Sequence, residues 1–369
     1  MKILFVMMGE LSVGGIESIV FGLWKELISM GNVIDFVCHG YEIGSLEKDI
    51  LEGGSKIYHI PAKGKNFYGT KREFTKIIQN GNYDVVHSHM NATSGIYLKI
   101  AKKYGVKVLV AHSHASTTNA VKMSKLKALI NEYEKFPTNK YSNVKIACSD
   151  KAGKWLFKDS PYRVIMNAVD TQKFLYSEEI RKSKRKELGF HDNDFVLIHV
   201  GSFFECKNHE YLLKIAGFIK EHISNRNVKL LLVGDGPLKG EIQEKIKQYH
   251  IVDLIDILGV RNDVNELLQA SDVFLLPSHT EGNPVSLIEA ATSGIHCIAS
   301  EQVPDDIVKY LEKGNIDFLP IDEKDVYKWG DRIFTEYARI KYTQDMLEEL
   351  SIGKMAIRIE GLYKEILES

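Results

Sequence analysis

The sequence predicts an α/β protein built from two doubly wound parallel sheets of the Rossmann-like type. Short runs of β-branched and aliphatic residues alternate with helix-length amphipathic segments along the 369-residue chain, as expected for repeated βαβ units. Several runs, such as Phe195–Gly201 and Val228–Gly234, are apolar without interruption, which is typical of strands buried on both faces. The alternation stops at the charged segment Ser177–Leu188 and then starts again. Two domains of one class in series are therefore predicted.

The individual elements follow from the same alternation of apolar runs and amphipathic segments. In the first half the predicted strands are Lys2–Met8, Val33–Cys38, Asp84–Ser88, Lys107–His112, Val144–Cys148 and Arg163–Met166. In the second half they are Phe195–Gly201, Val228–Gly234, Leu254–Leu258, Val273–Pro277 and His296–Ser300. The clearest predicted helices are Glu17–Met30, His209–His222, Pro237–Tyr249 and Pro284–Ser293.

The boundary between the two domains is predicted near Asp170. Residues 1–169 then form the N-terminal domain, residues 170–345 form the C-terminal domain, and residues 346–369 form a helix expected to pack back on the N-terminal domain. The segment Ser177–Leu188 contains no apolar strand and is highly charged. We interpret it as a solvated linker helix.

Composition excludes several classes of function. Hydrophobic residues make up 44% and charged residues 26%, as in soluble globular proteins, and the net charge of -1 gives no field that selects nucleic acid. The four cysteines are far apart, which disfavours a zinc site or a disulfide framework and favours a reducing compartment. The N-terminal run KILFVMM is too short for a signal peptide, and no run reaches the roughly 20 apolar residues of a membrane span. A cytoplasmic location is expected.

Two strand ends of the second half suggest an anion site, since ligands of open α/β sheets bind beyond the carboxyl ends of the strands. Lys207 lies just ahead of the predicted helix at His209, where its charge adds to the helix dipole and the unpaired amides. Gly234 and Gly236 follow the next strand and would let the backbone approach a ligand closely. Their spacing does not match the dinucleotide fingerprint, so a nicotinamide site is disfavoured.

The segment Ser278–Glu289 carries the strongest signal. Asn283 is a plausible N-cap and Pro284 a plausible first helical residue, which places Glu281 in the loop and Glu289 near the second helical turn. Two carboxylates and several free amides would then face one pocket. Carboxylates accept hydrogen bonds from sugar hydroxyls, and amides at a helix N-terminus bind hydroxyls or phosphate.

These residues closely resemble glycosyltransferase family 4, whose signature is a glutamate, seven residues and a second glutamate. The match is EGNPVSLIEA, supported by the loops GSFFECKN and VGDGP, by Gly14-Gly15 after the first strand, and by the linker-like MNAVDTQKF. The resemblance covers nearly the whole chain. It implies the GT-B fold, with two Rossmann-like domains facing across a cleft, an acceptor-binding N-terminal domain and a C-terminal domain that binds a nucleotide sugar.

The resemblance also implies roles for individual positions. Glu289 would bind the ribose, Glu281 would contact the transferred sugar, and Lys207 would neutralise the leaving diphosphate. The remaining implied donor contacts are Gly15, Ser202, Gly234, Gly236, Leu258, Val260, Arg261, Gly282, Asn283, Pro284 and Val285. One position departs from the family: Ser202 stands where many members have an arginine that shares the diphosphate. Either helix dipoles and amides assist Lys207, or Arg261 substitutes.

Two histidine pairs follow neighbouring strands of the first half. His112 aligns best with the active-site histidine of the family and is expected to touch the donor sugar, with His114 two residues away as the alternative. His87 and His89 form a similar pair and are weaker candidates on the acceptor side. Single histidines at such places are often structural.

The chemistry implied is retaining transfer without a metal or other cofactor. Preorganised positive charge and amides stabilise a departing diphosphate. Asp192-Asn-Asp194 matches the D-x-D motif of metal-dependent transferases formally, but it precedes a strand, and a turn is predicted instead. The alternatives are a sugar-nucleotide epimerase of the same architecture and a non-catalytic nucleotide-sugar sensor.

The expected substrates are a nucleotide sugar, with a UDP-sugar preferred, and a glycan or polyprenyl-diphosphate-linked acceptor in surface polysaccharide assembly. Peripheral contact with the inner face of the membrane is a further hypothesis. It depends on the lysines of Lys122–Lys127 (KMSKLK) and on Lys102-Lys103, which could touch anionic head groups, although such charge runs usually mark solvated helix faces.

Overall fold

The computed structural model describes residues 1–115, 125–312 and 314–369, and the side chains of 125–127 fall outside that description. The chain forms two compact units. The first comprises Met1–Ala168 together with Ile352–Ser369, and the second is Val169–Ser351. Each unit is an α/β sheet with its own buried core.

Parallel strands form the sheet of the first unit, and helices connect them. Its strands are β1 (Lys2–Val6), β2 (Val33–His39), β3 (Ile57–Ile60), β4 (Val85–Ser88), β5 (Val108–Ser113), β6 (Val144–Ala147) and β7 (Arg163–Val164). Its first helices are α1 (Gly15–Ser29), α2 (Glu47–Glu52), α3 (Phe67–Gly81), α4 (Ser94–Lys103), α5 (Lys125–Tyr141) and α6 (Asp150–Phe157).

The second unit repeats this plan. Its strands are β8 (Phe195–Val200), β9 (Val228–Val233), β10 (Ile255–Gly259), β11 (Val273–Leu276), β12 (His296–Ser300) and β13 (Ile316–Leu319). Its helices are α7 (Thr171–Phe174), α8 (Glu178–Glu187), α9 (His209–His222), α10 (Lys239–Gln248), α11 (Val264–Ala270), α12 (Val285–Thr292) and α13 (Val326–Ile333). The last helix of the chain, α14 (Ile352–Glu368), belongs to the first unit and packs on α1.

Strand order places a topological switch point in each sheet. The orders are β3-β2-β1-β4-β5-β6-β7 and β10-β9-β8-β11-β12-β13, with parallel pairing throughout. In the first sheet the order reverses between β1 and β4, and in the second between β8 and β11. Open α/β sheets bind ligands beyond the carboxyl ends of the strands at such points. The predicted doubly wound fold is confirmed.

Two strands escape prediction from sequence, β3 and β13, and both lie at a sheet edge. Three of the four β3 residues and all four β13 residues are only partly buried. An edge strand meets fewer apolar neighbours, so it lacks the unbroken apolar run that marks the central strands.

Ser177–Leu188 is helical as predicted, but the interpretation of this helix as a solvated linker is wrong. The segment forms α8, which packs on α11, and both Lys184 and Arg185 are buried. Arg181 donates to the carbonyls of Gln269, Ala270 and Ser271 at the end of α11, at 3.0–3.1 Å. The charges of α8 thus neutralise the negative end of α11 within the second unit.

The end of the chain also differs from the prediction in its bounds. Residues 345–350 form a 3₁₀ turn, and the final α-helix begins at Ile352. Asp192-Asn-Asp194 lies in a turn before β8, where the Asp194 carboxylate accepts from the His191 amide at 2.7 Å and from Asn227 at 2.7 Å.

No helix in the described ranges has both the length and the apolar character that crossing a bilayer requires. Lys122–Ser124 lie outside the described residues, as do the side chains of 125–127, so the structure does not describe the predicted basic cluster there.

Candidate active site

The loops after β8 and β11 are joined by hydrogen bonds at the switch point of the second sheet. Asn208 adopts a left-handed conformation (φ 56°) ahead of α9, and its side-chain amide donates to the Pro277 carbonyl at 3.0 Å. The His279 amide donates to the Cys206 carbonyl at 2.8 Å. These bonds fix the loop carrying Lys207 against the loop carrying Glu281.

Lys207 and Glu281 form an ion pair across these loops. The Lys207 Nζ donates to Glu281 Oε1 at 2.6 Å, and the two side chains are only 16% and 11% exposed. The sequence predicts both residues in strand-end loops of the second half, but it does not predict this direct contact. Low exposure strengthens the attraction because little water screens the charges. The pair therefore holds a cation and a carboxylate ready at a strand end.

Gly234 and Gly236 are required for packing between neighbouring loops. Gly234 has φ +136°, and an added Cβ would lie 2.1 Å from the Gly201 carbonyl oxygen. A Cβ on Gly236 would lie 2.8 Å from the backbone of Phe203. The close approach that these glycines permit is thus to the protein backbone, which shapes the edge of the site.

The strand β10 ends in an irregular segment at the predicted base-binding position. Its pairing with β9 runs from Ile257 to Gly259 and skips Leu258, which marks a bulge. A bulge leaves backbone groups without ladder partners and can aim them at a ligand. Val260 is 62% exposed just beyond it. The backbone around Leu258 can therefore meet a planar group.

Arg261 is held by an acidic partner. Its guanidinium donates to both carboxylate oxygens of Asp263 at 2.8 and 2.6 Å, and Asp263 also accepts from Lys184 at 2.8 Å. These cations hold the pKa of Asp263 well below its usual range. For Arg261 to replace the missing family arginine at the diphosphate, its hydrogen bonds to Asp263 would have to break. Ser202 is exposed in the β8 loop.

Helix α12 begins one residue later than predicted: Pro284 is the N-cap and Val285 the first helical residue. Pro284 has ψ 118°, outside the helical region, while its carbonyl accepts from Leu287 at 3.2 Å. Gly282 and Val285 are partly buried beside it, and Asn283 is 5% exposed. The first turn of α12 thus presents its amides on the same loop as Glu281.

Glu289 lies in the second turn of α12 with a half-buried side chain. Desolvation raises its pKa to about 7, and the charge of Lys173 opposes that rise. A carboxyl group that titrates near neutral pH is typical of a functional site. Lys173 belongs to α7, the helix that packs on α12, and the sequence gives no signal for this neighbour.

At the first strand end of the other unit, Gly15 is the exposed first residue of α1. The preceding Gly14 is its N-cap in extended conformation, and a Cβ there would lie 2.6 Å from Glu17 Oε2. Burial raises the pKa of Glu17. The loop is therefore narrow, with the N-terminus of a 15-residue helix open beside it.

The four predicted histidines form one stacked cluster at the ends of β4 and β5. Ring centroids are 4.3 Å apart for His87 and His89, and 4.0 Å apart for His112 and His114. His87 Nε2 lies 3.1 Å from His112 Nδ1, and His89 Nδ1 lies 2.9 Å from His114 Nε2. His112 is 0% exposed and His114 is 8% exposed, so His114 is the more accessible ring of that pair.

Burial keeps these histidines neutral. It lowers the pKa of His87 and of His114 to about 3, and it lowers the pKa of His89 and of His112 well below the usual value. A neutral imidazole has one N–H donor and one nitrogen acceptor. In a hydrogen bond between two such rings, the tautomer of one ring therefore fixes the tautomer of the other.

The buried hydroxyl of Tyr363 in α14 lies 2.6 Å from His87 Nδ1. If the hydroxyl donates there, His87 Nε2–H donates to His112, and the proton of His112 rests on Nε2. Sequence reasoning missed Tyr363 because it lies 276 positions from His87.

The cluster also has the composition of a metal site. One nitrogen from each of His87, His89 and His112 lies within 4.8 Å of the others. Neutral imidazole is the usual nitrogen ligand of zinc and other transition metals. Two of the ring contacts are already hydrogen bonds between histidines, and the prediction of metal independence stays a prediction.

Relatives of this chain are glycosyltransferases. EpsF of Bacillus subtilis (strain 168), named as a glycosyltransferase, is 29% identical over 361 residues, covering 94% of this chain and 91% of EpsF. The UDP-Gal:alpha-D-GlcNAc-diphosphoundecaprenol alpha-1,3-galactosyltransferase of Escherichia coli is 29% identical over 280 residues, covering 72% of this chain and 71% of that enzyme.

Solved structures share the fold. Anabaena Alr3699/HepE, crystallised with UDP and glucose, superposes with a TM-score of 0.79 at 16% identity, covering 98% of this chain and 99% of that one. This likeness identifies the fold as GT-B. The family model described as Glycosyltransferase Family 4 matches residues 13–173, and the model described as Glycosyl transferases group 1 matches residues 180–317. With both halves matched and the glutamate pair in place, the chain belongs to glycosyltransferase family 4.

Proposed function

We propose that this glycosyltransferase transfers a hexose or N-acetylhexosamine from a UDP-sugar to a glycan or lipid-linked acceptor during surface polysaccharide assembly, with retention and without a metal. The observation that carries the proposal is the little-exposed Lys207–Glu281 pair beside the first turn of α12, with Glu289 one turn further on. The Escherichia coli relative, whose name specifies a UDP-sugar and a diphosphoundecaprenol-linked acceptor, supports this choice of substrates.

In this proposal Lys207 stabilises the negative charge of the leaving diphosphate. As the bond between the sugar C1 and the diphosphate oxygen breaks, negative charge develops on that oxygen. The ammonium group of Lys207 neutralises it, and the amides at the start of α12 assist. Removal of one preorganised donor of this kind costs about 3 kcal/mol in comparable enzymes. The exposed Ser202 contributes at most a neutral hydrogen bond.

The acceptor oxygen attacks C1 on the face from which the diphosphate departs, which gives retention. The acceptor proton passes to the departing phosphate oxygen, so the bond formed is C1–O(acceptor) and the bond broken is C1–O(phosphate). Glu281 accepts a hydrogen bond from a hydroxyl of the transferred sugar, and Glu289 accepts from the ribose hydroxyls. The bulge at Leu258 meets the base.

The histidines act on the sugar side. The family resemblance implies the sugar contact for His112, whose ring is fully buried here, whereas His114 keeps 8% exposure. We therefore assign the outer contact to His114 and a supporting role to His112, which stacks on it at 4.0 Å. Replacing His114 with alanine should then reduce turnover more than replacing His112. The reverse order would restore the assignment to His112.

A cytoplasmic location completes the proposal. The four cysteines, all within the described ranges, form no disulfide, as expected in a reducing compartment. Neither the epimerase nor the sensor alternative is supported by the relatives, which are transferases.

The test is incubation with a panel of UDP-sugars, with and without a polyprenyl-diphosphate-linked acceptor, while nucleotide release is measured. Acceptor-dependent release of UDP and a product whose anomeric configuration matches the donor are expected. An inverted product would contradict retention, an isomerised donor would support epimerisation, and binding without turnover would support a sensor. Lys207→Ala should lower the rate of release by about 100-fold or more, and Lys214→Ala, which removes a lysine of the same unit paired with Glu323, should leave it unchanged.

A further inference from the structure

Backbone pairing between the two central strands of the second sheet ends before the candidate site begins. Among the described residues, the β8–β11 ladder has two pairs, the second of which joins Ile198 to Phe274. On their other sides, β8 stays paired with β9 as far as Val200, and β11 stays paired with β12 as far as Leu276. The ladder is therefore open at the switch point. Buried carbonyls of β11 beyond it need other donors, since buried backbone acceptors are nearly always paired.

Side chains from β8 and the loop after it supply these donors. His199 Nδ1 lies 2.8 Å from the carbonyl oxygen of Leu275, and the Asn208 amide donates to the carbonyl oxygen of Pro277 at 3.0 Å. Both acceptor residues are buried. Two side-chain hydrogen bonds thus replace the backbone hydrogen bonds that the open ladder lacks.

These two bonds begin a regular series that ends at the ion pair. Every second residue from Leu275 to Glu281 bonds to β8 or to the loop after it: the carbonyls of Leu275 and Pro277, the amide of His279 and the carboxylate of Glu281. A spacing of two residues is that of one edge of a strand. A slip by one residue would therefore turn Glu281 away from Lys207. The register of the series sets their contact at 2.6 Å.

The ring of His199 is buried, neutral and close to the stem of Lys207. It is 0% exposed, and burial holds its pKa well below the usual value. Because a carbonyl only accepts, the single proton of the neutral ring is on Nδ1. A Cβ on Gly201 would lie 3.0 Å from His199 Nε2 and 3.4 Å from Lys207 Cδ, so the ring and the lysine stem border the same small space.

We propose that His199 and Asn208 are positioning residues, whose hydrogen bonds to the two β11 carbonyls hold Lys207 where it stabilises the leaving diphosphate. This rests on the proposed function of Lys207. His199 is fully buried and Asn208 is 9% exposed, so each acts through the loop that carries the lysine and not by contact with the substrate. A displacement of about 1 Å at a reacting group costs about 100-fold in turnover. The base and ribose are proposed to bind at β10 and α12, so their contacts stay in place.

The first test compares kcat and KM for the UDP-sugar in Asn208→Gly and in the wild type. Asn208 has φ 56°, which glycine adopts freely, so this variant removes the amide without straining the loop. We expect kcat to fall at least about tenfold and KM to change by less than about threefold. The matched control is Asn82→Gly, which replaces an exposed asparagine with φ 50° at the end of α3 and should leave kcat unchanged.

A second pair of variants tests the donor of His199. His199→Asn keeps an N–H donor on the atom attached to Cγ, whereas His199→Leu keeps apolar bulk and has no donor. His199→Asn should retain kcat within about threefold, and His199→Leu should lose at least about tenfold. Equal kcat in these two variants would overturn the role of the Nδ1 donor.

Combination with Lys207→Ala separates this proposal from the proposed function. If Asn208 acts through the lysine, Asn208→Gly should change kcat by less than about twofold in a Lys207→Ala background. A full tenfold loss in that background would overturn the positioning role, as would a wild-type kcat in Asn208→Gly alone. If Lys207→Ala by itself keeps wild-type turnover, the proposed function of the lysine fails, and the positioning proposal fails with it.

Discussion

Replacing Glu289 with glutamine should weaken nucleotide-sugar binding and stabilise the fold at the same time. Burial raises the pKa of Glu289 to about 7, from a usual value of 4.5. The folded protein therefore binds this proton more tightly than the unfolded chain does. The carboxyl group costs no stability below pH 4.5 and becomes progressively destabilising as the pH rises through 7. Glutamine keeps the shape and removes the charge.

The size of the binding effect follows from that pKa. If only the ionised carboxylate accepts from the ribose hydroxyls, the binding-competent fraction rises from about 9% at pH 6 to about 91% at pH 8. The Kd for a UDP-sugar should then fall about tenfold across this range, equivalent to ~1.4 kcal/mol. Both phosphates of a UDP-sugar are esterified and do not titrate in this window, which makes it a better probe than UDP.

The assay is isothermal titration calorimetry at pH 6, 7 and 8 in buffers of different ionisation enthalpy, without acceptor. Wild-type protein should release about half a proton on binding at pH 7, because the ligand stabilises the ionised form. The Glu289→Gln variant should bind weakly, with no pH dependence and no proton release.

Thermal unfolding provides the control. The desolvation of Glu289 sets an upper bound of ~3 kcal/mol on the stabilisation gained at pH 8, and the gain should fall below ~1 kcal/mol at pH 5 and vanish at lower pH. A variant that binds weakly yet melts higher has lost a ligand contact and not its fold. A tenfold pH dependence that persists in Glu289→Gln would refute the assignment of the titration to this residue.

Four further outcomes are expected. Lys207→Ala should lower kcat by at least about 100-fold, since Lys207 is the cation proposed to neutralise the leaving diphosphate; a loss below tenfold would mean that another group neutralises the diphosphate. Tyr363→Phe should lower turnover about tenfold and change the nitrogen chemical shifts of the histidine cluster, because the donor that orders the tautomer of His87 is lost; unchanged shifts would contradict the tautomer assignment. Gly234→Ala should destabilise the protein by more than ~2 kcal/mol in thermal or urea unfolding, since its Cβ has no room at φ +136°; Gly240→Ala, where nothing lies within 4 Å, is the matched control and should be neutral or stabilising. Dialysis against a chelator should leave transfer unchanged with no metal detected by mass spectrometry, and activity lost and then restored by a divalent ion would disprove metal independence.

Local sequence patterns suffice for the central parts of both sheets. The predicted helix His209–His222 matches α9, and the predicted strand His296–Ser300 matches β12. Buried central strands carry unbroken apolar runs, and helices carry a 3.6-residue periodicity, so both are visible in short windows. The edge strands β3 and β13 are not, because most of their residues are only partly buried.

Charge patterns in the sequence predict side-chain burial less well than apolar patterns do. Helix α8 lies just after the predicted domain boundary and is highly charged, yet Lys184 and Arg185 in it are buried. Lys184 donates to the Asp263 carboxylate, and Arg185 donates to the Ala270 carbonyl. Long basic side chains bury their stems while their charged ends remain paired. Composition alone does not reveal such partners.

The sequence by itself determined the doubly wound fold, the family, and the spacing that puts Glu281 before α12 and Glu289 within it. These depend on residues close together along the chain. Only the tertiary structure decided that Lys207 pairs with Glu281, 74 positions away, and that Tyr363 bonds to His87, 276 positions away. It also decided that His112 is buried while His114 keeps some exposure. Such contacts depend on which strands are neighbours in the sheet and which helix covers them, and no local pattern encodes that order.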